Sequence, residues 1–257
     1  MKIVLIGAGN VATILGKLFY NKGFNILQVV GRSMNSTVAL AYELNANAVT
    51  DINKIDTTAN LYVIAVPDDA VKLIASQLIL PGKLVVHTAG TLPCNFIESI
   101  SKRVGVVWPL QSLRKEIKKM PVIPFVVDGN SEEVTSQLVS IMANISDEVT
   151  TLGDDARKKL HLSAVIVSNF TNHLYALTQD YCTKNNLPYE MLKPLIEETA
   201  LRLQDYEAKD IQTGPSVRGD KNTVKLHEEL LKEEGYLHLI YSLMDDSIGK
   251  LHKESKK

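Results

Sequence analysis

Gly7-Ala8-Gly9-Asn10-Val11-Ala12 follows directly on the apolar run Lys2–Ile6 and leads into an amphipathic stretch, Val11 to Asn21. Glycine at the first position permits a tight turn, and glycine at the third lets backbone N–H groups come close to a ligand. Alanine at the sixth keeps the helix against the sheet. Strand, turn and helix in this register aim a helix N-terminus, with its unpaired N–H groups, at an anion such as a pyrophosphate. The expected element is therefore a Rossmann-type dinucleotide site in which Gly7, Gly9, Asn10, Val11 and Ala12 contact the cofactor.

The second apolar run ends in Val29-Val30-Gly31-Arg32-Ser33. NAD sites usually place a carboxylate there to bind the ribose hydroxyls, whereas a guanidinium and a hydroxyl suit a 2′-phosphate. Arg32 and Ser33 thus point to NADP(H). The run from Leu61 to Val66 ends in Val66-Pro67-Asp68-Asp69. Open α/β sheets bind ligands where such a strand ends and a helix begins, so Val66, Pro67 and Asp68 belong to the same expected crevice. Asp68 or Asp69 is also the residue type that caps a helix.

Further β-branched runs recur at Lys83–His87 and Arg103–Val107, and Pro124–Asp128 and Asp147–Leu152 flank a helical stretch, Ser131–Asn144. The runs up to Arg103–Val107 are apolar almost throughout rather than alternating, as parallel strands covered on both faces are. After Gly153 the apolar spacing turns helical, with breaks at Asn185–Pro188, Thr213–Pro215 and Glu234–Gly235. This predicts an α/β Rossmann domain over 1–152, with a mostly parallel doubly wound sheet, followed by an all-α domain over 153–257 for substrate and dimerisation.

Composition narrows the partners. Of 257 residues 45% are hydrophobic and 22% charged, with a net charge of −1, so a core can be buried and no basic face is offered to nucleic acid or membrane. A small molecule is the expected ligand. Cys94 and Cys182 stand alone, without metal-ligand spacing, so no metal is expected. The opening run is too short for a secretory leader, which suggests the cytoplasm. The tail Lys250–Lys257 reads as a solvated helix end.

For the chemistry, His161, Ser168 and Asn169 interrupt an apolar stretch, Leu160 to Phe170. Polar groups there need partners or a polar site. Reduction of a carbonyl or imine needs a proton donor, and histidine suits that near neutral pH. His161 is the first candidate, with Asn169 and Ser168 orienting substrate. His87 follows the Lys83–His87 run, Gln111 and Ser112 follow the next, and Arg218 lies in Gly214–Asp220, the one Gly/Pro-rich loop of the helical half. All four are candidate substrate contacts, the arginine for a carboxylate or phosphate. Each also has a plain alternative in local packing.

Taken together, GAGNVA, VGRS, VPDDAV, HTAGT at His87–Thr91, WPLQSL at Trp108–Leu113, His161 with Ser168-Asn169, and GPSVRGD at Gly214–Asp220 resemble a bacterial family of Rossmann-like NADP oxidoreductases. That family carries a C-terminal domain of unassigned function. It sits in the superfamily of 6-phosphogluconate dehydrogenase, 3-hydroxyisobutyrate dehydrogenase, ketopantoate reductase and pyrroline-5-carboxylate reductase. The resemblance implies hydride transfer between NADP(H) and a small, anionic substrate at an interdomain cleft, and a homodimer formed through the helical domain. Some relatives carry a KxxxN pair on the first long helix. Here Lys159 precedes Ser163 and Lys158 precedes Leu162, so that pair is incomplete. A non-catalytic NADP(H)-binding or redox-sensing module is the alternative reading.

Overall fold

A computed structural model describes residues 1–116 and 120–254, and the chain divides into two compact units, Met1–Ser168 and Asn169–Lys257. The first unit holds eight strands: β1 (Lys2–Ile6), β2 (Asn25–Val30), β3 (Asn47–Val49), β4 (Leu61–Ile64), β5 (Leu84–His87), β6 (Arg103–Pro109), β7 (Phe125–Gly129) and β8 (Val149–Thr151). They form one sheet in the order β3-β2-β1-β4-β5-β6-β7-β8. Pairing is parallel from β3 across to β6, β7 runs antiparallel to β6, and β8 runs parallel to β7.

Strand alternation explains why the runs are apolar almost throughout. Ile3 and Leu5 join a core with Ala12, Leu15 and Phe19, while Val4 and Ile6 point the other way, into a core with Val71 and Leu80. Both faces are buried, as in doubly wound sheets. Helices α1 (Asn10–Asn21), α2 (Met34–Glu43), α3 (Asp68–Gln77) and α4 (Glu132–Met142) link the strands. Only α4 has a side-chain cap among these, Ser131 accepting the Val134 N–H at 3.2 Å. The sheet order reverses direction at β1, whose neighbours are β2 and β4. A crevice therefore opens at the carboxyl ends of these strands.

Strand β3 is absent from the sequence expectation. It spans three residues at the sheet edge, two of them Asn47 and Ala48, types that seldom announce a strand. Helix α5 (Asp154–Ala164) closes the first unit and continues into a π-helical turn, Val165–Phe170.

The second unit contains α6 (Thr171–Lys184), α7 (Lys193–Arg202), α8 (Pro215–Arg218), α9 (Lys221–Leu230) and α10 (Tyr236–Glu254). The breaks fall where the sequence signals them. Asn186 and Gly235 adopt positive φ, 54° and 50°, between α6 and α7 and between α9 and α10. The Asp220 carboxylate caps α9 through the Thr223 N–H at 3.1 Å. Within this unit His227 Nδ1 lies 2.9 Å from the Tyr241 hydroxyl, and Lys184 pairs with Glu234 at 2.7 Å. Of the tail, Lys250 pairs with Asp246 at 2.6 Å, and residues 255–257 lie outside the described residues. No helix among the described residues is long and apolar enough to cross a membrane.

Candidate functional site

At the carboxyl ends of β1, β2 and β4 lies a cavity of about 680 Å³, with Gly7, Gly9, Arg32, Ser33, Val66 and Pro67 in its walls. Gly7 makes the turn from β1. Its φ is 128°, and a Cβ there would stand 2.1 Å from the Ala65 carbonyl oxygen. The Gly7 N–H donates to the Val30 carbonyl at 2.7 Å, so the turn ties the end of β1 to the end of β2. Around Gly9 the opposite holds: nothing lies within 4 Å of the place a Cβ would take. Helix α1 starts there with neither a side-chain cap nor an acidic residue in its first turn. That leaves its N–H groups for an anion.

Other expected cofactor contacts sit less directly. Ala12 is fully buried, where it lets α1 lie against the sheet, and Val11 packs partly buried on the same core. The Asn10 side-chain oxygen accepts the Lys115 N–H at 3.3 Å, so the loop after β6 crosses near the start of α1. Asp68 stands inside α3 after Pro67, which holds the cap position, and its carboxylate accepts the Thr91 hydroxyl at 2.6 Å. Neither Asp68 nor Asp69 caps the helix through its side chain, which corrects that expectation. Proline fixes the entry φ and leaves the aspartates in the first turn, where their charge suits the helix dipole.

Arg32 is exposed on the cavity wall and makes no hydrogen bond or ion pair with the other described residues. Ser33 and Ser36 share that wall. An unpaired guanidinium beside two hydroxyls fits a phosphate, and the uncapped helix start fits the pyrophosphate.

A second cluster forms at the ends of β5 and β6. The Trp108 ring, at the end of β6, stacks at a tilt on the His161 ring of α5, with centroids 5.5 Å apart. Gly90 sits beneath both: a Cβ there would come within 2.5 Å of the His161 ring and 2.9 Å of Trp108. Only glycine lets the two rings close over this loop. His161 is half-buried, and neither of its ring nitrogens makes a hydrogen bond to the described residues. Nearby on the chain, the Ser112 and Ser168 hydroxyls meet at 2.9 Å, joining the loop after β6 to the π-helical turn. Inserted π turns often mark functional sites.

His87 behaves differently. It is fully buried, its Nδ1 accepts the Ala89 N–H at 3.2 Å, and Nε2 faces the Pro93 carbonyl at 3.2 Å. The acceptor role of Nδ1 places the proton on Nε2. Burial drives its pKa down to about 4, with the Arg157 charge adding to the shift. Both ring nitrogens are spent on the loop that carries Gly90. Gln111 is likewise engaged locally, donating to the Val122 carbonyl and accepting the Ser112 N–H. Asn169 and Arg218 belong to the second unit, where both are exposed. Arg218 ends the short helix α8 ahead of Gly219.

Sequence reasoning missed Arg157. This side chain is fully buried on α5, donating from Nη2 to the Leu92 carbonyl and to Asp154 Oδ1, each at 2.6 Å. Asp154 also accepts the Cys94 N–H at 3.0 Å. Burial alone would raise the Asp154 pKa, but these bonds and the Arg157 charge outweigh it and hold the carboxyl below its usual range. Burial pushes Asp128 up instead, and lifts the Cys94 thiol to about 12, leaving that thiol protonated.

Residues 2–90 match the family described as NADP oxidoreductase, coenzyme F420-dependent, and residues 123–248 match a domain of unknown function, DUF2520. The chain is similar to a putative NADP oxidoreductase from Bacteroides fragilis, 38% identical over 97% of this chain and 98% of that one, with a TM-score of 0.89. It shares a fold with 1-pyrroline-5-carboxylate reductase from Streptococcus pyogenes, at 15% identity, 98% of both chains and a TM-score of 0.65. It also shares one with a reductive aminase from Aspergillus terreus solved with NADPH and ethyl levulinate, at 16% identity, 98% of this chain and 94% of that one, and a TM-score of 0.72. None of the curated proteins matches the chain.

Proposed function

Because the chain belongs to the NADP oxidoreductase family of the Bacteroides fragilis protein, we propose that it transfers hydride between NADP(H) and a small, anionic substrate. His161 acts as the proton donor. The observation that carries this reading is the His161 ring, stacked on Trp108 over Gly90, with both nitrogens uncommitted at the carboxyl edge of the parallel strands. Bound in the first unit, NADPH supplies the hydride. Gly7 and Gly9 let the pyrophosphate approach the α1 N-terminus, Arg32 and Ser33 take the 2′-phosphate, and Val66 and Pro67 wall the crevice. His161 gives a proton to the oxygen or nitrogen that gains negative charge as the adjacent carbon is reduced. The Ser112 and Ser168 hydroxyls hold the substrate's polar end.

The same reading takes the molecule as a cytoplasmic homodimer. Of the described residues in the second unit, only Cys182 and Leu231 are buried, while Leu195, Leu239, Leu243 and Met191 stand 60% exposed or more. Apolar helix faces left so open are the kind a second copy covers.

The test is NADPH oxidation against a panel of carbonyls and imines. The activities named for the fold neighbours, reduction of 1-pyrroline-5-carboxylate and reductive amination, supply the first compounds. Once a substrate is found, His161→Gln is expected to lower kcat by about 10²–10⁴-fold with the NADPH Kd little changed. Wild-type kcat in that variant would remove His161 from the reaction.

A further inference from the structure

The fully buried charge on α5 has no role in the proton transfer just described. Arg157 lies one turn before His161 on α5, so the two side chains share a face of that helix. Its guanidinium reaches three separate pieces of chain: the Leu92 carbonyl at 2.6 Å, Asp154 Oδ1 at 2.6 Å, and, more loosely, Asp128 Oδ2 at 3.7 Å. Asp154 passes the tie on to the Cys94 N–H. Both Leu92 and Cys94 end the loop whose Gly90 supports the His161 and Trp108 rings. The same loop is pinned by His87 at Ala89 and Pro93 and by Asp68 at Thr91.

As a source of stability the arrangement is poor. Nε and Nη1 of this fully buried guanidinium have no hydrogen-bond partner. A buried charge with donors left over is often matched or bettered by an apolar side chain of similar size. What the guanidinium does supply is a fixed distance between α5 and the loop, at the point where His161 must meet Gly90. Sites need such a supporting shell, because a proton donor displaced by an ångström loses much of its rate.

We propose that Arg157 is a positioning residue, which through Leu92, Asp154 and Cys94 locks the His87–Cys94 loop to α5 and so sets the His161 ring on Trp108. This rests on the reading of His161 as the group that faces the substrate, yet it can be tested without turnover. Trp108 is the chain's single tryptophan, so its near-UV circular dichroism band reports how firmly the indole is held against the His161 ring. The wild type is expected to show that band at full intensity, and this intensity is the response read in each variant. His161→Gln should abolish the response.

In Arg157→Met the response is expected to drop by about half or more, with the far-UV circular dichroism unchanged and the NADPH Kd within about threefold of wild type. Arg157→Lys, which restores one donor to the site, should recover part of it. Should Arg157→Met fail to fold, Asp154→Asn is read in its place. It keeps the arginine, acts at a partly exposed carboxylate, and is also expected to weaken the response. A wild-type response in the folded arginine variant, or in Asp154→Asn where that is the variant read, overturns the proposal. So does a near-UV response that survives His161→Gln. A protein that shows the whole pattern but reduces nothing would leave the positioning role standing and sink the oxidoreductase mechanism instead.

Discussion

The two units of the chain bury their side chains in opposite ways. Met1–Ser168 sandwiches its sheet between two dense cores in which Leu5, Phe19, Tyr62 and Ile64 are all but sealed from solvent. Asn169–Lys257 is entirely helical among its described residues, with scarcely a closed core. The first unit thus carries its own folding energy, at about 1.5–3 kcal/mol for each large apolar side chain buried. The second leaves the apolar faces of its helices open, with Leu239 and Leu243 exposed. A sheet closed on both faces can keep a cofactor crevice rigid, while an open helical unit is suited to assembly.

Equal truncations should expose this contrast. Phe19→Ala is expected to cost about 3–5 kcal/mol in urea unfolding. A value near zero would mean the first unit is not the stable one. At its site end, Gly7→Ala forces a Cβ onto the Ala65 carbonyl at a φ of 128°. It should cost about 3 kcal/mol and remove NADPH binding. Retained binding in calorimetry would contradict the turn described here.

His87 gives the first unit a pH signature. Its folded pKa, about 4, lies below the ordinary 6.5, so between these values the unfolded chain binds more protons than the folded one. The contribution is complete above about pH 6.5 and is lost as the pH falls toward about 4, on the order of 3 kcal/mol in all. His87→Gln should flatten the urea midpoint across that window. An unchanged slope would place the acid sensitivity elsewhere.

In the second unit, by contrast, Leu243→Ala is expected to change unfolding of the isolated chain by less than about 0.5 kcal/mol. It should raise the dimer dissociation constant by about tenfold in sedimentation. Monomeric wild-type protein at working concentration would break the comparison at its second half.

The sequence discloses the first unit far better than the connections within its site. β1 and β2 are read residue for residue, because apolar β-branched runs and the glycine turn are local signals. So are the helix breaks at Asn186 and Gly235. The antiparallel direction of β7 and the three-residue β3 leave no such mark. Ser112 and Ser168 each stand out as polar residues at strand or helix ends, but nothing in one predicts its bond to the other 56 positions away. Arg157 is the clearest case. In Asp154-Asp155-Ala156-Arg157-Lys158-Lys159 it reads as one more charge on a solvated helix start, and the Asp154 pair three residues back fits an exposed surface equally well. Its partners Leu92 and Asp128 lie too far along the chain for spacing to reveal.

The central claim, that the first unit is an NADP(H) site with Arg32 on the 2′-phosphate, is tested most directly by calorimetric titration of the wild type and Arg32→Ala with NADPH and NADH. NADPH should bind the wild type at least about tenfold more tightly than NADH, and Arg32→Ala should erase that preference while leaving NADH affinity nearly as it was. Equal affinity for the two cofactors in the wild type, or a preference that survives the loss of Arg32, would contradict it.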